Sequence, residues 1–511
     1  MQKNRVVVGF DLRGSCFIPT SSTKSMEDNS LLVTNTDDLS DQNMDDLPDH
    51  LLWIIFSRLT VASDLNSISQ VSKRFYELER RCRNSLKVKC GLHPVDLALS
   101  SLCSRFINLR KVEIDYAGWV AKYGKQLDDN GLKIIASLCP DLQEVGLRFC
   151  TFITDVGLGH LASCKGLQAV RFNFVPSITG CGLLSIVTGC KNLSVMHLTL
   201  CLHVNSAEWL YFLGRLQNIE DLAIRQCKGI SESDLARLGQ AWCRLRRFQF
   251  QVDVNHRYMK TYGLLGLNGW PDQDVDCEML EELKLINCLI NPNRGLGCIL
   301  PKCKHLVRLH LDMCMGLRDR DLVHLAMSST GLKYLSLRCP SDFSLSVPAN
   351  YSPQLSDESL KAIAKYCIIL EEVSISFADG CYPFVPCFSL EGILALVEGC
   401  HMLKALVLDR VYAFNDYGME ALCVAHALER LELIQCPEVS DDGMQLIRHL
   451  PSLKHVRVSK CLGISDEGLA AFMGSDKLES LKIEDCPKIS EKGTQGLAKM
   501  VQFRCDLSWL Y

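Results

Sequence analysis

The chain has 511 residues, with 55 Lys and Arg against 59 Asp and Glu and a formal net charge of -4. That length can bury a large core, while so even a charge balance offers no bulk basicity for nucleic acid. The longest apolar runs fall far short of the ~20 residues a membrane helix requires. Val6-Val7-Val8 is interrupted by Asp11 and Arg13 too soon for a signal peptide, so a soluble protein of the cytoplasm or nucleus is expected, with no membrane partner.

Residues 1–43, rich in Ser, Thr, Asp and Asn, read as a disordered leader. Residues 44–90 read as a compact helical module. A Leu47-Pro48 step opens a helix in which Leu51, Leu52, Ile55, Phe56 and Leu59 form an apolar stripe at helical spacing. Pro48 suits the start of that helix, where its missing N–H would be unpaired anyway. A second helix is expected from Asp64-Leu65 through Ile68, Val71 and Phe75, and a third over 78–86. So short a module makes a poor independent core and calls for a partner or the neighbouring chain.

From about residue 91 to 511 a unit of about 26 residues recurs. Its clearest copies run Leu428-x-x-Leu431-x-Leu433-x-x-Cys436, Leu453-x-x-Val456-x-Val458-x-x-Cys461 and Leu478-x-x-Leu481-x-Ile483-x-x-Cys486. The alternation of apolar and polar residues makes a short strand. Ser465-Asp466-Glu467 then caps a helix, and the same cap recurs at Thr154-Asp155, Ser356-Asp357, Ser440-Asp441 and Ser490-Glu491. One strand and one helix per unit predict an α/β leucine-rich-repeat solenoid of roughly fourteen repeats, with parallel strands inside, helices outside and a concave binding face. Phe503 to Tyr511 would cap its end.

Three units are stretched, between Leu245 and Leu280, Leu332 and Leu370, and Leu370 and Leu403. Their surplus is expected as rim loops, carrying Tyr258, Tyr262 and Trp270, then Tyr382, Phe384 and Phe388. The 27 cysteines include no C-x-x-C pair, so neither a zinc nor a redox motif is present. Eight share one repeat position, from Cys150 to Cys486, and others, Cys139, Cys164, Cys190, Cys243, Cys303, Cys367 and Cys400, recur near the end of the helical half. Residues repeating once per coil are expected to be buried structural thiols; no metal, cofactor or catalytic residue is expected. Strand alternation turns Arg148, Arg171, His197, Arg225 and Arg247 outward, with Arg308 and Arg338 further along. At ~4.8 Å between strands these would form one basic column suited to an acidic or phosphorylated segment. A solvated mixed-charge face is the competing reading.

Leu47-Pro48-Asp49-His50-Leu51-Leu52, Ile55-Phe56, Leu59, Asp64-Leu65 and Val71-Ser72-Lys73-Arg74-Phe75 resemble an F-box, with Phe75 where Trp is common and His50 where an acid is common. Followed by cysteine-containing repeats, the chain from about residue 44 onward is similar to the F-box/LRR proteins, the plant set included. That resemblance implies a non-catalytic substrate receptor of an SCF-type ubiquitin ligase. Its F-box would dock a Skp1-like adaptor, and through it a cullin and a RING subunit, while the repeats hold a protein destined for degradation. The adaptor-facing residues would be Leu47, Pro48, Asp49, Leu51, Leu52, Ile55, Phe56, Leu59, Val71, Lys73, Arg74 and Phe75, with Asp49, Lys73 and Arg74 as a charged rim. A small-molecule co-receptor within the same complex, or a repeat scaffold free of any cullin, are the alternatives.

Overall fold

The computed structural model describes residues 47–59, 61–90, 95–120, 124–253, 277–291, 296–297, 299–340, 354–378, 387–473 and 477–508. The leader, the loop aromatics Tyr258, Tyr262, Trp270, Tyr382 and Phe384, and the last three residues lie outside them.

Three short helices come first: α1 (Asp49–Arg58), α2 (Ala62–Ile68) and α3 (Lys73–Cys82). Pro48 is the N-cap of α1, and its carbonyl accepts from Leu51 and Leu52 N–H at 3.0 and 3.1 Å. The expected second helix is divided. Ser72 accepts from Phe75 N–H at 3.1 Å and starts α3 afresh, so Val71 sits in a turn and Phe75 in the third helix. The Ser hydroxyl competes with helix continuation and acts as a cap instead. Leu52, Phe56, Leu65, Phe75 and Leu78 form a core separate from that of the repeats. Phe56 and Phe75 meet edge to face with centroids 5.4 Å apart.

Among the described residues, sixteen parallel strands follow in one sheet whose spatial order is the chain order. They are β1 (Ser85–Lys89), β2 (Lys111–Asp115), β3 (Glu144–Arg148), β4 (Ala169–Asn173), β5 (Val195–Thr199), β6 (Asp221–Arg225), β7 (Arg247–Gln251) and β8 (Glu282–Ile286). The second half comprises β9 (Arg308–Asp312), β10 (Tyr334–Cys339), β11 (Glu372–Phe377), β12 (Ala405–Asp409), β13 (Arg430–Ile434), β14 (His455–Ser459), β15 (Ser480–Glu484) and β16 (Met500–Arg504). The expected solenoid is present, and longer than fourteen units. The helix expected over 78–86 ends at Cys82, as the last part of α3, and β1 begins at Ser85, because Ser85-Leu86-Lys87-Val88-Lys89 alternates and pairs in register with β2. β16 adds a last rung where only a cap was expected.

Three devices recur from coil to coil. After ten of the sixteen strands the residue leaving the strand adopts a left-handed conformation, as at Phe149 (φ 55), Gln435 (φ 49) and Lys460 (φ 52). A non-Gly residue there costs about 1–2 kcal/mol. The cost is offset because its N–H reaches the next strand, Phe149 to the Asn173 carbonyl at 2.9 Å and Gln435 to that of Ser459 at 2.8 Å. The repeating cysteine follows immediately. Cys436 Sγ donates to the Leu408 carbonyl and Cys461 Sγ to that of Leu433, each at 3.6 Å, one strand back.

The third device joins the helices. The first-turn aspartate of one helix accepts from both the N–H and the hydroxyl of the next coil's cap residue. Asp129 holds Thr154 in this way, Asp155 holds Thr179, Asp416 holds Ser440, and Asp441 holds Ser465. Burial follows the same period, with one exception: Cys243, expected inside, is exposed. The helical half of its coil is a kinked 3-10 segment with Gly239 at φ 46, which turns the end of the segment outward. Phe388, expected on a rim loop, is instead buried against Phe377.

Candidate functional site

Helical geometry divides the stripe of α1 in two. Leu52 and Phe56 point at α2 and α3 and are buried, as is Phe75, so these three expected contact residues build the module's core rather than its surface. Leu47 and Leu59 pack partly against that core. Leu51 and Ile55 face outward, and Ile54 completes a patch with them at i, i+3 and i+4. Trp53, 50% exposed, flanks the patch, and Val71 in the turn before α3 is 65% exposed. Trp53 and Ile54 were missed in the sequence because the stripe was assigned from its buried side. Of the charged rim, Arg74 reaches back to Asp49, with Nε 2.8 Å from Oδ1, and ties α3 to α1. Lys73 is exposed.

The module is fastened to the solenoid by ions stacked on rings. Glu79 of α3 is buried and pairs with Arg83 and with Arg105 at 2.8 Å, where α4 (Val95–Arg105) ends. The Arg105 guanidinium lies over Tyr76 and Phe106, at 4.2 and 4.9 Å from their centroids. Burial pushes the Arg83 guanidinium below its ordinary pKa, against the opposing pull of Glu79. Asn108 Nδ2 adds a bond to the Arg81 carbonyl at 2.8 Å.

On the sheet, the first, third and fifth residues of each strand make three outward columns. The register puts Arg247 and Arg308 in the first, Arg171 and His197 in the middle one, and Arg148, Arg225 and Arg338 in the last. One basic column is therefore not what the sequence builds, because strand alternation alone does not say which outward positions align. Most of these cations also have an acid beside them. Arg171 is 3.1 Å from Glu144, Arg148 3.6 Å from Asp115 and Arg338 3.9 Å from Asp312. Asp221 bridges His197 at 2.8 Å and Arg247 at 3.0 Å. Burial would raise the Asp221 pKa, but the bonds from His197 and Arg247 outweigh it and hold the carboxyl below its usual range. Arg225 donates to Gln249 instead of to an acid.

Between β8 and β13 the concave face opens into a cavity of about 230 Å³. Lys284, Arg308 and His310 line one end, Tyr334 and Ser336 follow, and Ser374, Ala405 and Val407 lie beyond them. Arg308 rests over the Tyr334 ring at 4.4 Å. Glu372 and Arg430 close an ion pair of 2.9 Å across the strand carrying Ala405. Burial, and then the charge of Lys284, depress the His310 pKa. Lys284 and Tyr334 were not singled out in the sequence; writing the outward positions by register would have brought them beside Arg308. Behind the sheet, burial pushes the Cys150 and Cys461 thiols up to about 12, which disfavours the reactive thiolate at these two positions.

An F-box-like family model matches residues 44–82 and a leucine-rich-repeat model matches 449–473. The chain is 26% identical over 194 residues to F-box/LRR-repeat protein 4 of Bos taurus, covering 38% of this chain and 27% of that protein. It is 24% identical over 382 residues to GRR1-like protein 1 of Arabidopsis thaliana, covering 70% and 63%. The chain thus spans less than two thirds of the length of these curated relatives. Among solved structures, a chain from the yeast Rad7 and Elc1 complex is similar with a TM-score of 0.47 and 11% identity, over 86% of this chain and 98% of that one. Among the described residues no helix is long and apolar enough to cross a membrane. With an F-box-like module in front of a leucine-rich-repeat sheet, the chain is similar to the F-box/LRR-repeat proteins in both of its parts.

Proposed function

We propose that this chain is the substrate receptor of an SCF-type ubiquitin ligase: α1 and α3 dock a Skp1-like adaptor, which brings the cullin and RING subunits, and the solenoid holds the protein to be modified. The observation that carries this reading is the outward patch of Leu51, Ile54 and Ile55 with Trp53 and Val71, on a module whose own core is already filled. Apolar side chains left half exposed around a complete core gain about 1 kcal/mol each from being covered, and such anchors carry most of the energy of an interface. Leu47, Pro48, Asp49, Lys73 and Arg74 border the patch and shape its rim. Leu52, Phe56 and Phe75 support docking from beneath by fixing its contour. In this reading the receptor makes and breaks no bond. Lys284 and Arg308, outward cations of the sheet that no acid engages within ion-pair distance among the described residues, favour an acidic substrate segment.

The test is co-expression with a Skp1-like adaptor and size-exclusion chromatography. Wild-type chain and adaptor are expected to elute together. Leu51→Asp combined with Ile55→Asp should separate them with far-UV circular dichroism unchanged, and Leu47→Ala with Pro48→Ala should weaken co-elution. Separate peaks for the wild type would refute docking.

A further inference from the structure

The concave cavity changes character along its length. At the β8–β9 end are Lys284 and Arg308, neither of which meets a carboxylate within ion-pair distance among the described residues, unlike Arg171, Arg148 and Arg247. At the β12 end the middle column changes to Val407, with Ser336 and Ser374 lining the way between. Beyond Val407 the column turns charged again at Glu432, which Arg457 already engages at 3.3 Å.

We propose that this stretch is a bipartite peptide site: a glutamate or aspartate carboxylate of the ligand sits between Lys284 and Arg308, and an apolar side chain of the same segment rests on Val407. The proposal deepens the receptor reading above and rests on it. Charge complementarity selects an anion at the β8–β9 end. The anion is a carboxylate rather than a phosphate dianion, because Glu282 and Glu372 stand in the same outward column as Arg308 on either side of it. One face of the Arg308 guanidinium is taken by the Tyr334 ring, which leaves its N–H edge to the ligand. Spacing sets the ligand's pattern. Val407 lies four strands from Lys284 and three from Arg308, so at ~4.8 Å per strand the two halves are about 14–19 Å apart. An extended peptide advances ~3.4 Å per residue, which puts its acidic and apolar residues about four to six positions apart.

Full-length chain co-purified with its adaptor is applied to an array of twelve-residue peptides on a Gly/Ser background. Each peptide carries one Glu and one Leu separated by one to nine positions, in both orders, with a parallel set carrying phosphoserine for Glu. Binding should peak at separations of four to six. It should fall about tenfold or more for Lys284→Glu with Arg308→Glu, and Val407→Lys should flatten the dependence on the Leu position. Lys284→Arg should retain the peak, and Lys133→Glu on the outer helix Asp129–Leu138 should leave it unchanged. No bound peptide, a flat separation profile, tighter binding of the phosphoserine set, or an undiminished signal for the double variant would each overturn the proposal. Adaptor co-elution is read on every sample: its retention beside a flat profile rejects the peptide site alone, and its loss in the wild type rejects the receptor reading.

Discussion

Asp441 takes three hydrogen bonds from the coil that follows it, from Ser465 N–H at 2.7 Å, Ser465 Oγ at 2.6 Å and Gly468 N–H at 3.1 Å. The residue had been legible only as a favourable charge in a first helical turn; that the same carboxylate staples the following coil is a fact of stacking, which no single unit displays. Asp441→Ala strands two donors of a partly buried cap and is expected to cost about 2–4 kcal/mol. Faster amide exchange over 465–473, with urea unfolding for the magnitude, would check it. The staple also explains a glycine: a Cβ on Gly443 would lie 2.1 Å from Asp416 Oδ1, so Gly443→Ala should loosen the preceding staple and raise exchange at Ser440. Glu371 provides the pH test. Hydrogen bonds from Lys404 and then Lys333 lower its pKa to about 2, beneath the ordinary ~4.3 of an unfolded chain. A carboxyl with a depressed folded pKa stabilises above the unfolded value and ceases to as pH falls through the folded one. The stability gap between wild type and Glu371→Gln should therefore be full above about pH 4.5, close towards pH 2, and shrink with added salt.

Among the elements, the contact of α3 with α4 decides whether the module and the solenoid move as one. Removing Arg105 leaves Glu79 buried with Arg83 alone and strips a cation from two rings. Breaking such a pair costs about 3 kcal/mol or more. Arg105→Ala should then open a protease-sensitive site within 83–110, absent from the wild type. Arg105→Lys should restore little, since an ammonium neither forks nor stacks as a guanidinium does. Here the sequence told less. The module was recognisable from Leu47-Pro48 and the α1 stripe, yet the break at Ser72 was read through, although a Ser three residues before Phe75 is an ordinary cap signal. β1 was missed because Arg83 stands where later units have their leading Leu and Cys90 falls one position earlier than their Cys, so its strand character shows only in the alternation of Leu86 and Val88. The outward patch suffered from a helical pattern that names the apolar face without saying how much of it the neighbours cover.

Across the whole molecule the period of the sequence was enough for the architecture, because each coil must bury its apolar face on the next and only one stacking order does so. Register was the part it could not supply. Arg148 and Arg171 are both outward, but they stand in different columns, since β3 pairs Gly146 with Arg171 and Arg148 with Asn173. A one-dimensional stack makes a distinct prediction about how damage spreads. Each strand pairs only with its sequence neighbours, so stability is close to a sum of coil terms and interface terms. Leu433, buried in β13, would leave a cavity on truncation costing about 2–5 kcal/mol. In Leu433→Ala, hydrogen-exchange protection is expected to fall in β12, β13 and β14 and to stay at wild-type values in β3 to β5, with adaptor co-elution intact because α1 lies at the far end. Uniform loss along the sheet would mean that the solenoid unfolds as a single cooperative block, and that a lesion on the cargo face reaches the docking helix as well.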